Sequence, residues 1–404
     1  MIEPAARPPT AWKRVAADFG GPYAASALIG FVFAASGPVA VILAVGTRGG
    51  LTQAELASWI FGAFFVNGWL SLLACWRYRQ PLVFFWTIPG AVLVGPALEH
   101  LAFAEVIGAY LATALLMLAL GLSGAVKRAM QAVPMPIVMG MVAGVFLRFG
   151  TELVRALHDD AWIALPMLAA FLALSAWSSV GRRVPPVLGA LVAGAVAVAI
   201  SGRFEPGTLG AQWLAAPVWQ APVWSWRAMV ELVVPLAITV IVVQNGQGVA
   251  VLRTAGHAPP IDAVTAGCGL WSLPAAAVGA VSTCLTGPVN AIISASGERD
   301  RQYTAGLMVG VLAIVFGLFA PLFTGAMLAT PPAFVAALGG LAMLKVLQTA
   351  FTASFGSGRF TLGALVAFVV TVTDLAWLNV GAAFWGLIAG LAVSWLLERG
   401  DFRG

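Results

Sequence analysis

Three clusters of polar residues interrupt otherwise apolar sequence, and their types suit the holding of a small anion. The first lies in residues 280–297, AVSTCLTGPVNAIISASG. Ser282, Thr283, Thr286, Gly287, Pro288 and Asn290 are poor material for a continuous helix. Proline lacks an N–H and sits best in the first turn of a helix. Thr286 ahead of Gly287-Pro288 therefore predicts the start of a half-helix, with residues 280–285 extended before it. An open helix N-terminus carries unpaired N–H groups and the positive end of a dipole. Broken backbone at membrane depth is tolerated only where protein or an aqueous cavity satisfies it. In transporters such broken helices form the substrate site.

The second cluster repeats the design. Residues 80–97, QPLVFFWTIPGAVLVGPA, place Thr87 ahead of Pro89-Gly90 and a short helix of small residues. Trp86, beside Thr87, either stacks on a flat substrate or packs as an ordinary apolar side chain. The third cluster is Gln244-Asn245-Gly246-Gln247-Gly248, inside the apolar run VPLAITVIVVQNGQGVAVLR. Amides at mid-membrane are unfavourable unless hydrogen-bonded. They serve either as glue between helices or as donors to a carboxylate or to the substituents of an aromatic ring.

Other polar positions are weaker candidates. Ser26 and Ser36, with Gly37-Pro38, lie in the first apolar run, and Asn67 and Asn379 suit interhelical packing. Arg148 and Lys345 sit near segment ends, where they can snorkel. Glu231 lies thirteen residues before Gln244, roughly 20 Å along a helix, so it is expected near a membrane surface. Asp374 and Glu152 are also near segment ends. No buried proton carrier is evident: a coupled proton would travel on the substrate or use a residue lying deeper than its position suggests. Cys75, Cys268 and Cys284 read as inert thiols, and His100, His158 and His257 are far apart, so no metal or cofactor is implied. No nucleophile, paired carboxylate or metal constellation suggests an enzyme.

The elements that position these clusters follow from composition. The 404 residues are 61% hydrophobic and 9% charged, with a mean hydropathy of +0.95. Soluble domains are about 25% charged, so the chain reads as an all-α polytopic membrane protein; its net charge of +5 does not point to nucleic acid. Fourteen apolar segments are expected at 22–45, 56–76, 82–98, 104–122, 133–150, 161–179, 184–201, 229–247, 262–279, 281–297, 303–324, 331–348, 360–377 and 381–398. Both termini inside would place 16 Lys and Arg on the inner face and 5 on the outer, the asymmetry expected of cytoplasmic loops. The first run is too long for a cleaved signal peptide.

The two halves correspond. Pro134 aligns with Pro331, Leu147 with Leu344, Arg148 with Lys345, and Gly189 with Gly386. Seven spans per copy is odd, so the second copy must be inverted, with half-helices in spans 3 and 10. The organisation expected is a cytoplasmic tail (1–20), a first seven-span repeat (21–201), a linker (202–228), a second repeat (229–398) and a short C-terminal tail (399–404). The linker's Trp213, Trp219, Trp224 and Trp226 suit an interfacial aromatic belt.

These motifs resemble the benzoate/proton symporter family. The likeness is densest in QNGQGVAVLRTAGHAPPIDAVTAGCGL, GPVNAIISA and PPAFVAALGGLAMLKVL, with WTIPGAVLVGPA and VPMPIVMGMVAGVFLRFG in the first half. It covers most of the chain beyond the N-terminal tail. The family is similar in architecture to nucleobase permeases. The resemblance implies a core domain of spans 1–4 and 8–11 and a gate domain of spans 5–7 and 12–14, often dimeric through the gate. It also implies a substrate held between spans 3 and 10, against spans 1 and 8. By position the substrate-binding candidates are Gln244, Asn245, Thr286, Gly287, Asn290, Thr87 and Gly90, with Trp86 beside them. Nucleobase permeases carry acids in spans 8 and 10 where this chain has Gln244 and Pro288 or Asn290. The turn before the span-10 half-helix, STCLTGP, lacks the histidine of some benzoate carriers.

The expectation is a secondary transporter of a small aromatic carboxylate in a bacterial inner membrane, with proton symport and movement of core against gate. A nucleobase or other small-solute permease, and a channel-like anion pathway, are the alternatives.

Overall fold

The computed structural model describes residues 3–4, 11–126, 128, 134–177, 185–206, 212–295, 297–375, 377 and 382–403. Arg7, Lys127, Arg182, Arg183 and Asn379 lie outside the described residues. Apolar composition and its breakers dictate the elements. After a short helix α1 (Trp12–Asp18), α2 (Gly21–Arg48) runs 28 residues and bends at Ser36, where Pro38 interrupts the hydrogen-bond ladder. Helix α3 (Gln53–Tyr78) opens on a Thr52/Glu55 capping box and passes through a π-helical turn at Gly62–Val66. Strand β1 (Phe84–Trp86) then leads into α4 (Ile88–Ala97).

The first half continues with α5 (Phe103–Ser123), α6 (Met135–Asp159), α7 (Ala161–Ala176) and α8 (Pro186–Ser201). The second begins with α9 (Trp226–Thr254), which is π-helical at Met229–Val233 and Thr239–Asn245. It proceeds through α10 (Ile261–Ala277), β2 (Thr283–Leu285) and α11 (Gly287–Ile293). Helices α12 (Tyr303–Leu318), α13 (Ala320–Leu328), α14 (Pro332–Phe355), α15 (Thr361–Val372) and α16 (Ala382–Leu397) complete it. Each apolar segment read from the sequence contains a helix. Seven described helices are long and apolar enough to cross a membrane; others, α4 and α11 among them, are shorter.

Packing is close. Helix α6 lies along α14, α5 along α10, and α12 along α3. A Cβ added at Gly68 of α3 would sit 2.8 Å from the Gly310 carbonyl of α12, and one at Gly269 of α10 would sit 2.4 Å from the Leu118 amide of α5. Small residues let apolar helices approach this way where water supplies no drive between them. The residues of 212–225 run across helix ends, with the Gln220 and Val223 amides bonded to the Ala277 and Ala104 carbonyls. The four linker tryptophans are exposed, as an interfacial belt requires. The three cysteines are free and buried.

Candidate functional site

The extended stretches ahead of the two half-helices meet inside the protein. Strands β1 and β2 pair antiparallel, with Phe84 facing Leu285, Phe85 facing Cys284 and Trp86 facing Thr283. All six residues are buried. A two-stranded pair leaves outer edges unpaired, and buried N–H groups must find partners. Helix side chains supply them. Ser71 Oγ of α3 accepts from the Phe84 amide at 2.8 Å, and Ser272 Oγ of α10 accepts from the Thr283 amide at 2.9 Å. Asn67 Oδ1 accepts from the Thr283 hydroxyl at 2.7 Å.

The half-helices start where proline and glycine predicted. Thr87 caps α4, its hydroxyl accepting from the Gly90 amide at 3.1 Å. Its backbone amide reaches the Ser282 carbonyl at 2.9 Å, and the Thr286 amide reaches the Val83 carbonyl at 3.2 Å. Thr286 occupies the cap position of α11, but its side chain makes no capping bond. It is half-buried, as is Pro288. Gly287 is required by proximity: a Cβ there would lie 2.6 Å from the Gln247 side chain. Gln247 itself is exposed.

The amides divide by employment. Asn290, fully buried, grips the opposite strand: its Oδ1 accepts from the Val83 amide at 3.0 Å, and its Nδ2 donates to the Val83 carbonyl at 3.1 Å and the Thr286 carbonyl at 2.7 Å. Asn245 Oδ1 accepts from the Leu285 amide at 2.8 Å, with Cys268 Sγ 3.7 Å away. Both therefore hold the strand pair. Gln244, the neighbour of Asn245 on a π-helical turn packed against β2, is different. It is 7% exposed, and among the described residues nothing hydrogen-bonds its amide. Trp86 Nε1 and Ser282 Oγ are likewise buried without a partner among the described residues. The Trp86 ring rests on Phe64, centroids 4.9 Å apart.

Sequence reasoning missed Ser71, Ser272 and Thr239, whose hydroxyl lies 3.4 Å from that of Thr87. Each is one serine or threonine in an apolar helix; the serines bond to strands 13 and 11 residues further on, and Thr239 meets Thr87 152 residues away. Glu231, expected near a membrane surface, also has a partner that the sequence did not suggest. It is 5% exposed and bonded at 3.0 Å to His100, 131 residues away. Arg148 does not merely snorkel: it pairs with Asp374 at 2.7 Å and with Glu99 at 3.6 Å.

A helical bundle built on two short helices that begin at a buried strand pair is a fold shared with solved structures of transport proteins. The transmembrane domain of a cyanobacterium bicarbonate transporter, BicA, matches with a TM-score of 0.62 at 15% identity, over 95% of this chain and 99% of that one. SLC26A9 matches with a TM-score of 0.64 at 16% identity, over 92% of this chain and 64% of that one. Within that class the sequence is specific: the chain belongs to the BenE family, described as benzoate membrane transport protein, whose model matches residues 20–396. Inner membrane protein YdcO of Escherichia coli is 29% identical over 90% of this chain and 91% of its own length. The benzoate membrane transport protein of Acinetobacter baylyi is 27% identical over 90% and 92%. These relatives are membrane proteins and transporters, not enzymes.

Proposed function

We propose that the protein is a secondary active carrier of a small aromatic carboxylate of the benzoate type, coupled to a proton by symport. It would work as a multi-pass protein of a bacterial inner membrane with both termini cytoplasmic. The observation that carries the reading is the Gln244 amide, without a hydrogen-bond partner among the described residues, beside two half-helices that start at one buried strand pair. The candidate site consists of Gln244, Thr286, Gly287, Thr87, Gly90 and Trp86, with Asn245 and Asn290 fixing the strands behind it. Gln244 brings no negative charge, so an anion meets no like charge there. The family description and the name of the Acinetobacter relative supply the aromatic acid.

Contacts that occur twice support an inverted repeat of two seven-span halves. Thr87 and Thr286 make the same backbone bond to opposite strands. Ser71 serves Phe84 as Ser272 serves Thr283. Gly68 approaches the Gly310 carbonyl and the Ile314 amide, while Gly269 approaches the Ala114 carbonyl and the Leu118 amide. Offsets of 196 to 201 residues relate the pairs. Antiparallel pairing of two equivalent strands is what a two-fold axis in the membrane plane produces. In this scheme α2–α5 and α9–α12 form the core, α6–α8 and α14–α16 form the gate, and the gate faces provide a homodimer contact. Access alternates as core moves against gate.

Uptake of labelled benzoate by cells producing the chain tests the reading. Saturable accumulation that a protonophore abolishes is the expected result. Uptake of labelled uracil or xanthine that benzoate does not compete, with no uptake of benzoate, would move the protein to the nucleobase permeases. Flux that does not saturate would make it a channel.

A further inference from the structure

Away from the strand pair lies a cavity of about 340 Å³. That volume falls within the range of small-ligand sites. It opens at the Arg48 end of α2, between the two groups of helices proposed above. Val92, Leu93 and Pro96 of α4 wall one side; Val145 of α6 and Phe384 of α16 wall the other. Two arginines of this region, Arg48 and Arg148, come from opposite groups of helices. They share one carboxylate: Glu99 Oε1 lies 2.9 Å from Arg48 Nε and 3.6 Å from Arg148 Nη2.

Resting on the carrier reading, we infer that this cavity is a second binding site, in which the carboxylate of an aromatic acid replaces Glu99 between Arg48 and Arg148. Its ring lies on Val92, Leu93, Pro96 and Phe384. Glu99 is not among the residues that line the cavity, but it pairs with two arginines that do, as a ligand carboxylate would. Its side chain is 43% exposed, so it can swing out into water at little cost, since exposed ion pairs are weak. The other charged groups at the cavity are already matched. Asp374 holds Arg148 from the far side at 2.7 Å, Glu152 holds Arg155 at 2.6 Å, and His100 holds Glu231 at 3.0 Å. Displacing Glu99 therefore leaves two guanidinium groups facing one vacancy, beside apolar walls that fit a ring. Guanidinium donors suit planar carboxylate recognition. Because the arginines sit on different groups of helices, an acid bound here bridges them before it reaches the strand pair.

The test is the KM of benzoate uptake by whole cells, for which this face is outward in the proposed topology. Glu99→Gln removes the competitor, and KM is expected to fall roughly two- to fivefold. Arg148→Gln and Arg48→Gln remove the cradle, and KM is expected to rise by about tenfold. The opposite signs are diagnostic. If Glu99 and Arg148 were only a lock between the helix groups, both substitutions would loosen it and move KM in the same direction. That result, or an unchanged KM in Glu99→Gln, overturns the inference. Glu99 is on a loop and exposed, so its variant decides the matter even if Arg148→Gln does not fold; melting temperatures identify that case. A wild-type protein that takes up no aromatic acid overturns the carrier reading and this site with it, and is recognised because no KM is measurable at all.

Discussion

Gln244 and Asn290 differ in what their amides do, and the difference is measurable. Asn290 satisfies both polar groups of Val83 and the Thr286 carbonyl. Asn290→Ala would strand the Val83 amide in a dry interior, where an unpaired group costs about 1–3 kcal/mol, and would take one bond from each of the two carbonyls. A clear drop in melting temperature of the purified protein is expected. Gln244 bonds to nothing among the described residues. Gln244→Ala should leave the melting temperature near the wild-type value while benzoate uptake falls at least tenfold. Unimpaired uptake in Gln244→Ala would remove that residue from the site. The caps at Thr87 and Thr286 were legible in the sequence because Pro89 and Pro288 restrict the backbone within two residues of them. The employment of Asn245 and Asn290 was not. Their partners lie 40 and 207 residues away, and an amide beside a broken helix looks the same whether it binds substrate or backbone. The His100–Glu231 pair was hidden for the same reason.

At the scale of elements, the half-helices and the extended stretches before them could be read directly, since local chemistry sets them. The pairing of those stretches joins the two halves of the chain, and the serines covering the strand edges look like any other serine in an apolar helix until the strands 13 and 11 residues on are placed beside them. Helix crossings make a sharper test of how the elements are arranged. Gly68 and Gly269 occupy matching places in the α3–α12 and α10–α5 contacts, each with backbone of the facing helix within 3 Å of an added Cβ. Backbone cannot step aside as a flexible side chain can. Overpacking of this kind costs about 1–3 kcal/mol. Gly68→Ala and Gly269→Ala are expected to lower the melting temperature by similar amounts. A large loss in one with none in the other would contradict the equivalence of the two crossings.

For the whole molecule, the proposed motion carries one group of helices past the other, and a contact between the groups should report it. Gly339 of α14 and Ala40 of α2 meet there, an added Gly339 Cβ lying 4.0 Å from the Ala40 Cβ. That separation is within the range bridged by a disulfide, about 3.5–4.5 Å. The other neighbour at Gly339 is the Phe149 ring at 3.6 Å, an ordinary contact, so a side chain fits without displacing backbone. Cys75, Cys268 and Cys284 are buried and free, and Ala40→Cys and Gly339→Cys made singly control for their chemistry. In the double variant, oxidation should cross-link α2 to α14 and stop benzoate uptake, and reduction should restore it. The single variants should be insensitive to both treatments. The position of the bond gives the result its force. It joins two helices that pack together in this conformation, and a side chain at Gly339 meets Phe149 and Ala40, neither of them in the candidate site, so it restricts relative movement without replacing a group that holds substrate. A protein that transports at full rate while fully cross-linked would show that substrate passes without core and gate separating along this seam. The strand pair would then have to serve a path through a fixed structure, as in a channel.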